Sequence, residues 1–251
     1  MARLSAEAVT TAAGYLADAV TSGNTLAPFP AELAPGTEAQ ARRLAAALRE
    51  QLGLANVGLR LVAPPEGIAG PKVAGPIFAT RILHAPVAPP PLQRPVATAA
   101  LVAQLAKPLP ARARAWTARE IIARLASVHV AIDVAASRYT EGPPDLPCFM
   151  ADLAGLGAII LGRPARAGWQ KAIASPRTAK ADGGDGAVVW RGTIDVAAAL
   201  VEVAEAARTV GDLPAGAVLV AASLSPPLAP TLPGSALTLG ITSLGKVSLL
   251  G

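Results

Sequence analysis

The chain has 251 residues, a formal net charge of +5 and 52% hydrophobic residues, with a mean hydropathy of +0.45 and a pI of about 9.9. Such a length suits one large domain, or one core with a small appendage, and buries that core without covalent staples. Much of the hydrophobicity is alanine, Glu7 and Asp18 interrupt the N-terminus, and the longest apolar runs reach about half of the ~20 residues a membrane helix needs; no membrane span and no signal peptide are expected, and a cytoplasmic protein is.

In chain order, Val9, Ala12, Ala13, Leu16 and Val20 recur at helical spacing, so Ser5 to Val20 reads as an amphipathic helix. Pro28, Pro30 and Pro35 mark a loop. Thr37 with Gln40 three residues on reads as a capping box, and Gly53 as the stop of a second helix with Leu44 and Leu48 inward. Residues 1–55 thus form a helical lead-in, and residues 56–251 the main domain. From Val57 the character changes. Val57–Val62, Ile77–His84 and Val96–Leu105 are β-like and alternate with Pro64-Pro65 and Pro89-Pro90-Pro91. A second capping box, Thr117 with Glu120, opens a predicted helix to about Ala136, with Ile121, Leu125, Val128 and Ile132 on one face. Leu156–Leu161 and Ala187–Trp190 read as buried strands, and Thr193 as the cap of a helix running to about Arg208. Ala217–Ala222, Ala236–Ile241 and Lys246–Leu250 are the last strand candidates, separated by Pro226-Pro227, Pro233-Gly234 and Gly245. The fold class is therefore α+β: a helical N-terminal lead-in and a mixed, rolled or barrel-like β core.

Three local runs carry a resemblance. Gly70-Pro-Lys72-Val-Ala is similar to a Gly-x-Lys-Ile-Gly segment, Ala131-Ile-Asp133-Val-Ala-Ala-Ser137-Arg138 to Ala-Leu-Glu-Val-x-x-Ser-Arg, and Met150-Ala-Asp152-Leu-Ala to Val-Ala-Asp-Asn-Ala. Leu213-Pro-Ala-Gly216-Ala-Val-Leu-Val and Ser243-Leu-Gly245-Lys-Val-Ser extend it through the C-terminal half. In this order they resemble the 2-hydroxypenta-2,4-dienoate hydratase and 4-oxalocrotonate decarboxylase branch of the fumarylacetoacetate hydrolase superfamily. That family binds a divalent cation through a Glu-x-Glu pair on a strand and one later acidic residue. The matching strand here has Val96 and Thr98 at the two glutamate positions, and only Asp133 keeps a carboxylate. The family's Asn after its Asp is Leu153, and its Thr-Gly pair is Ala221-Ala222. A lone aspartate offers little charge to offset dehydration of Mg²⁺, so no metal and no other cofactor is expected.

The resemblance places Lys72 at the mouth of the site, as a base, a Schiff-base nucleophile or a holder of a carboxylate or enolate. Asp133 and Asp152 are its candidate acid/base partners, and Asp152, in an apolar stretch, must pair with something such as Lys72 or Arg138. Arg81, Arg94 and Arg138 are candidate anion holders because a guanidinium forks onto a carboxylate, and Thr98, a neutral oxygen at best, is a further substrate-binding candidate. Thr80 stands where the resemblance implies an acidic residue. On a helix, His129 and Asp133 would share a face four residues apart, although a histidine packed on an apolar face is the plainer reading. Cys148, the only cysteine, excludes an internal disulfide and reads as a small buried hydrophobe between apolar neighbours. Scattered arginines and 3% aromatics leave little on which to stack bases, so nucleic acid is not the expected partner. Two readings follow. One is a metal-independent hydratase- or decarboxylase-like lyase for a small unsaturated 2-oxo acid or related carbonyl compound. The other is a non-catalytic homologue, a binding module or silent partner subunit. Partners are then a small carbonyl or carboxylate compound and further protein subunits, in a homo-oligomer or beside a related enzyme. Convergence of Lys72, Asp133 and Asp152 would favour the first, an apolar-filled pocket the second.

Overall fold

The computed structural model describes residues 4–228 and 235–250. Two helices lead, α1 (Ala6–Ser22) and α2 (Glu38–Leu52); Ser5 and Thr37 accept hydrogen bonds from Ala8 N and Gln40 N, and Gly23 and Gly53 end them in left-handed conformation. The Thr37 box is half formed, because the Gln40 side chain accepts from Gly36 N. Then follow β1 (Asn56–Val62), β2 (Val73–Phe78), a 3-10 turn at Ala79–Arg81, β3 (Ile82–His84), β4 (Val96–Leu105), α3 (Ala118–Ile122), β5 (Leu125–Ala135), α4 (Leu146–Ala151), β6 (Leu156–Pro164), α5 (Trp169–Ala172), β7 (Arg177–Asp182), β8 (Val188–Ile194), α6 (Val196–Val210), β9 (Val218–Ala221), β10 (Ala236–Ile241) and β11 (Gly245–Leu250). The predicted Pro233-Gly234 break lies outside the described residues.

Seven strands form one mixed sheet in the order β2-β1-β9-β4-β5-β6-β3, and four form a second, β11-β10-β7-β8. The edge strands of the larger sheet, β2 and β3, are joined by three residues. Flat, that sheet would hold its edges about 29 Å apart, and such a link spans about 14 Å at full extension. The sheet is therefore rolled. On one face Leu59, Leu61, Ala99, Leu101, Val128, Val130, Ile132 and Ile160 pack with α6 and the second sheet, and on the other Ala100, Val102, Ala131, Ile159 and Val220 pack with α1, α2 and α4. With both faces covered, the central strands read as near-continuous apolar runs.

Three sequence expectations are corrected. The helix opened at Thr117 stops at Ile122, and residues 125–135 are β5, paired with β4 over its length. The cap of α6 is Asp195, whose side chain accepts from Ala198 N, while Thr193 belongs to β8. That strand is an edge, and its Val188 and Val189 are exposed rather than buried. Among the described residues no helix is long and apolar enough to cross a membrane.

Candidate functional site

β4 and β5 pair so that Thr98 stands directly opposite Asp133, and both are buried. Asp133 is forked by a residue the sequence did not single out. Arg60, wholly buried on β1, donates from Nε and Nη2 to the two Asp133 carboxylate oxygens at 2.7 Å each, and from Nη1 to Ala154 O at 2.6 Å. In a flat sheet β1 and β5, three strand spacings apart, would be separated by about 14 Å; the contact is made across the concave interior of the rolled sheet. The Ala154 carbonyl is aimed at Arg60 by a turn in which Leu153 and Ala154 both adopt positive φ, a conformation uncommon for residues other than glycine. A sequence signal for Arg60 existed. Leu59 and Leu61 serve one face of β1, so the charge between them had to enter the opposite interior and find a partner there.

Asp152 is fully buried and lies in a second ion pair. Its Oδ2 accepts from Arg138 N at 3.0 Å and from Ser137 Oγ at 3.4 Å, and its Oδ1 faces Arg138 Nε at 3.4 Å without accepting a hydrogen bond. Burial pushes its carboxyl up to about 6, although Arg138 opposes the shift. Arg138 is held besides by the carbonyls of Ala136 and Leu156. Arg81, at the end of the 3-10 turn, is half-buried, and burial and the charge of Arg138 lower its pKa.

Lys72 precedes β2 and bonds Glu202 of α6 at 2.6 Å, with both side chains partly open to solvent. No hydrogen bond or ion pair among the described residues joins Lys72 to either aspartate. Arg94 is exposed, binding Thr140 O and Glu141. His129 and Asp133 lie on a strand, not a helix. The imidazole is held between Gly162 O at 2.9 Å and Ser127 Oγ at 3.0 Å, a structural position. The Cys148 thiol is buried and pushed up to about 12 by that burial, which leaves it unreactive.

The positions that the resemblance assigns to a divalent cation do not fit one. Val96 has no donor and is 41% exposed, Thr98 Oγ1 accepts from Ser223 N at 3.3 Å, and both Asp133 oxygens are taken. Among the described residues no three His, Cys, Asp or Glu side chains cluster so as to hold a metal ion. Beside this pair Val62, Val73, Phe149, Ala154 and Ala222 close into an apolar cluster. A cleft of about 520 Å³ lies elsewhere, along β2 between α2 and α6, with Arg42, Arg49 and Lys72 among Leu59, Leu61 and Met150.

The chain matches no protein-family model and no curated protein sequence. Its structure is similar to 4-oxalocrotonate decarboxylase from Pseudomonas putida, solved with calcium and acetate and again with magnesium and adipate. The TM-score is 0.82 in both comparisons, at 21% and 20% identity, over 100% of this chain and 99% of that one. A 5-carboxymethyl-2-hydroxymuconate delta-isomerase from Mycobacterium smegmatis matches more loosely, with a TM-score of 0.53 and 14% identity over 78% of each chain. The helical lead-in, the rolled seven-stranded sheet and the second sheet together give this chain the fold of the fumarylacetoacetate hydrolase superfamily, in the form taken by 4-oxalocrotonate decarboxylase.

Proposed function

We propose that the chain is a non-catalytic homologue of the hydratases and decarboxylases of this fold, acting by binding, as a silent partner subunit or a module for small carboxylates. The observation that carries this reading is the dispersal of the three would-be catalytic groups. Asp133 is consumed by Arg60, Asp152 by Arg138 and Lys72 by Glu202, on different elements. General acid/base work needs a free proton carrier within reach of the substrate, and each of these three is held by its own counter-charge, with no hydrogen bond or ion pair joining any two of them among the described residues. The cleft of about 520 Å³ is lined by Arg49, by Arg42 paired with Glu38 and by Lys72 paired with Glu202, around an apolar floor, and its size suits a small organic acid held chiefly by Arg49.

A second reading, a metal-independent lyase for a small unsaturated 2-oxo acid, is favoured by the Lys72–Glu202 pair. It is a cation and a carboxylate in contact, partly solvent-exposed, with Lys72 on the cleft. An ultraviolet assay on a panel of 2-oxo and 2-hydroxy dienoic acids, run with Mg²⁺, with EDTA and with Lys72→Ala, separates the two. The non-catalytic reading predicts no turnover above buffer in any arm. Turnover that survives EDTA and disappears in Lys72→Ala would establish the lyase; turnover requiring Mg²⁺ would contradict both.

A further inference from the structure

Charge matching in the interior of the rolled sheet goes beyond the misfit of these positions to a metal. With Val96 and Thr98 at the two glutamate positions that the resemblance implies, one carboxylate remains, on Asp133, and it lies out of water. An isolated buried carboxylate is costly, so it must be neutralised or protonated. A guanidinium does this with a single positive charge and a planar fork that matches both carboxylate oxygens. Arg60 meets those requirements: it is wholly buried, engages both oxygens at 2.7 Å, and spends Nη1 on Ala154 O at 2.6 Å. The backbone is shaped to receive it, through the positive φ of Leu153 and Ala154. Opposite residue 60 on β2 is Gly75, where an added Cβ would lie 3.1 Å from the Ala154 methyl group. The turn that carries the accepting carbonyl therefore packs directly on the β1–β2 pair.

We propose that the Arg60 guanidinium stands in for the divalent cation of the metal-dependent relatives: a tethered positive charge that neutralises Asp133 and ties β1, β5 and the 153–155 turn into one interior. It is a positioning group that makes the fold independent of metal. The inference rests on the placement of Arg60 and Asp133, and its readout is metal binding, so it stands or falls separately from any result on turnover.

The test is lanthanide and manganese binding, by terbium luminescence and calorimetry, to the full chain and two variants. Wild type is expected to show no saturable binding. Val96→Glu with Thr98→Glu restores the carboxylates but leaves the guanidinium in the cation's place; the same pair with Arg60→Ala vacates it. Binding in the triple variant at least about tenfold tighter than in the double variant is the expected result. Equal affinity with and without Arg60, or saturable wild-type binding abolished by Asp133→Asn, would overturn the proposal. Should the triple variant not fold, a thermal-melt cycle decides. Arg60→Met and Asp133→Leu each lower the melting temperature, and together they are expected to recover most of the loss. Strictly additive losses would show that Arg60 does not neutralise Asp133.

Discussion

Asp133 and Asp152 are both buried aspartates paired with arginine, yet their surroundings treat the charge differently. Asp133 receives two short bonds from one guanidinium. Removing that side chain strands a buried cation, so Asp133→Ala should cost about 3–5 kcal/mol in a urea titration. Asp152 has a looser partner, and burial raises its carboxyl to about 6, above the value of about 3.9 for an unfolded aspartate. The native state therefore binds the extra proton more readily than the unfolded chain between those two values. This makes the contribution of Asp152 to stability rise as the pH falls through about 6 towards 4, and decline as the pH rises again. Asp152→Asn removes the effect. The melting temperature of wild type relative to Asp152→Asn should shift in favour of wild type on acidification from neutral pH. A difference independent of pH would show that the carboxyl does not titrate in that range.

At the scale of elements, most runs were legible, including strands covered on both faces, and the misreadings fell on the stretch from Ile121 to Val134 and on the exposed edge strand β8. Leu44 and Leu48 placed α2 correctly, and the β-like runs at 57–62, 96–105 and 217–222 became β1, β4 and β9. In the run from Ile121 to Val134, the spacing 121, 125, 128, 132 suits a helix, while 128, 130, 132, 134 suits a strand. The Thr117–Glu120 box is real and tilted the reading towards a helix, but it caps barely more than one turn. The concentration of β-branched residues in Val128-His-Val-Ala-Ile-Asp-Val was the signal with the right sign. Close backbone approach was not legible at all. A Cβ on Gly58 would lie 1.9 Å from Val218 O, in the parallel pairing of β1 and β9, whereas one on Gly240 would meet nothing nearer than 3.9 Å. Gly58→Ala should therefore destabilise by on the order of 3 kcal/mol, and Gly240→Ala should be neutral or stabilising by about 0.5 kcal/mol. Denaturant unfolding of the two variants checks the pair; equal effects would contradict the tight approach of these strands.

For the whole molecule, the order of weak motifs along the chain was enough to anticipate the fold, because fold depends on the sum of many small matches. The site was less legible, because it depends on which partner each charge finds across the rolled sheet. The resemblance put Asp133 and Thr98 in one site, but the periodicity had Asp133 on a helix, and their pairing across β4 and β5 came only with the structure; Arg60, three strands away from Asp133 in the sheet, reaches it only through the sheet's curvature. Glu202, on a helix 130 residues after Lys72, carried no local signal. The outcome is a familiar scaffold whose interior holds an ion pair where the resemblance leads one to expect a cation, and that account makes its stability indifferent to metal. Addition of Mg²⁺ or EDTA to wild type should leave the melting temperature unchanged. The most direct measurement is a crystal structure grown with manganese, read in an anomalous difference map. The account predicts no anomalous peak at Asp133 and a guanidinium seated on both of its oxygens; a manganese ion bound to Asp133, with Arg60 turned away, would contradict it.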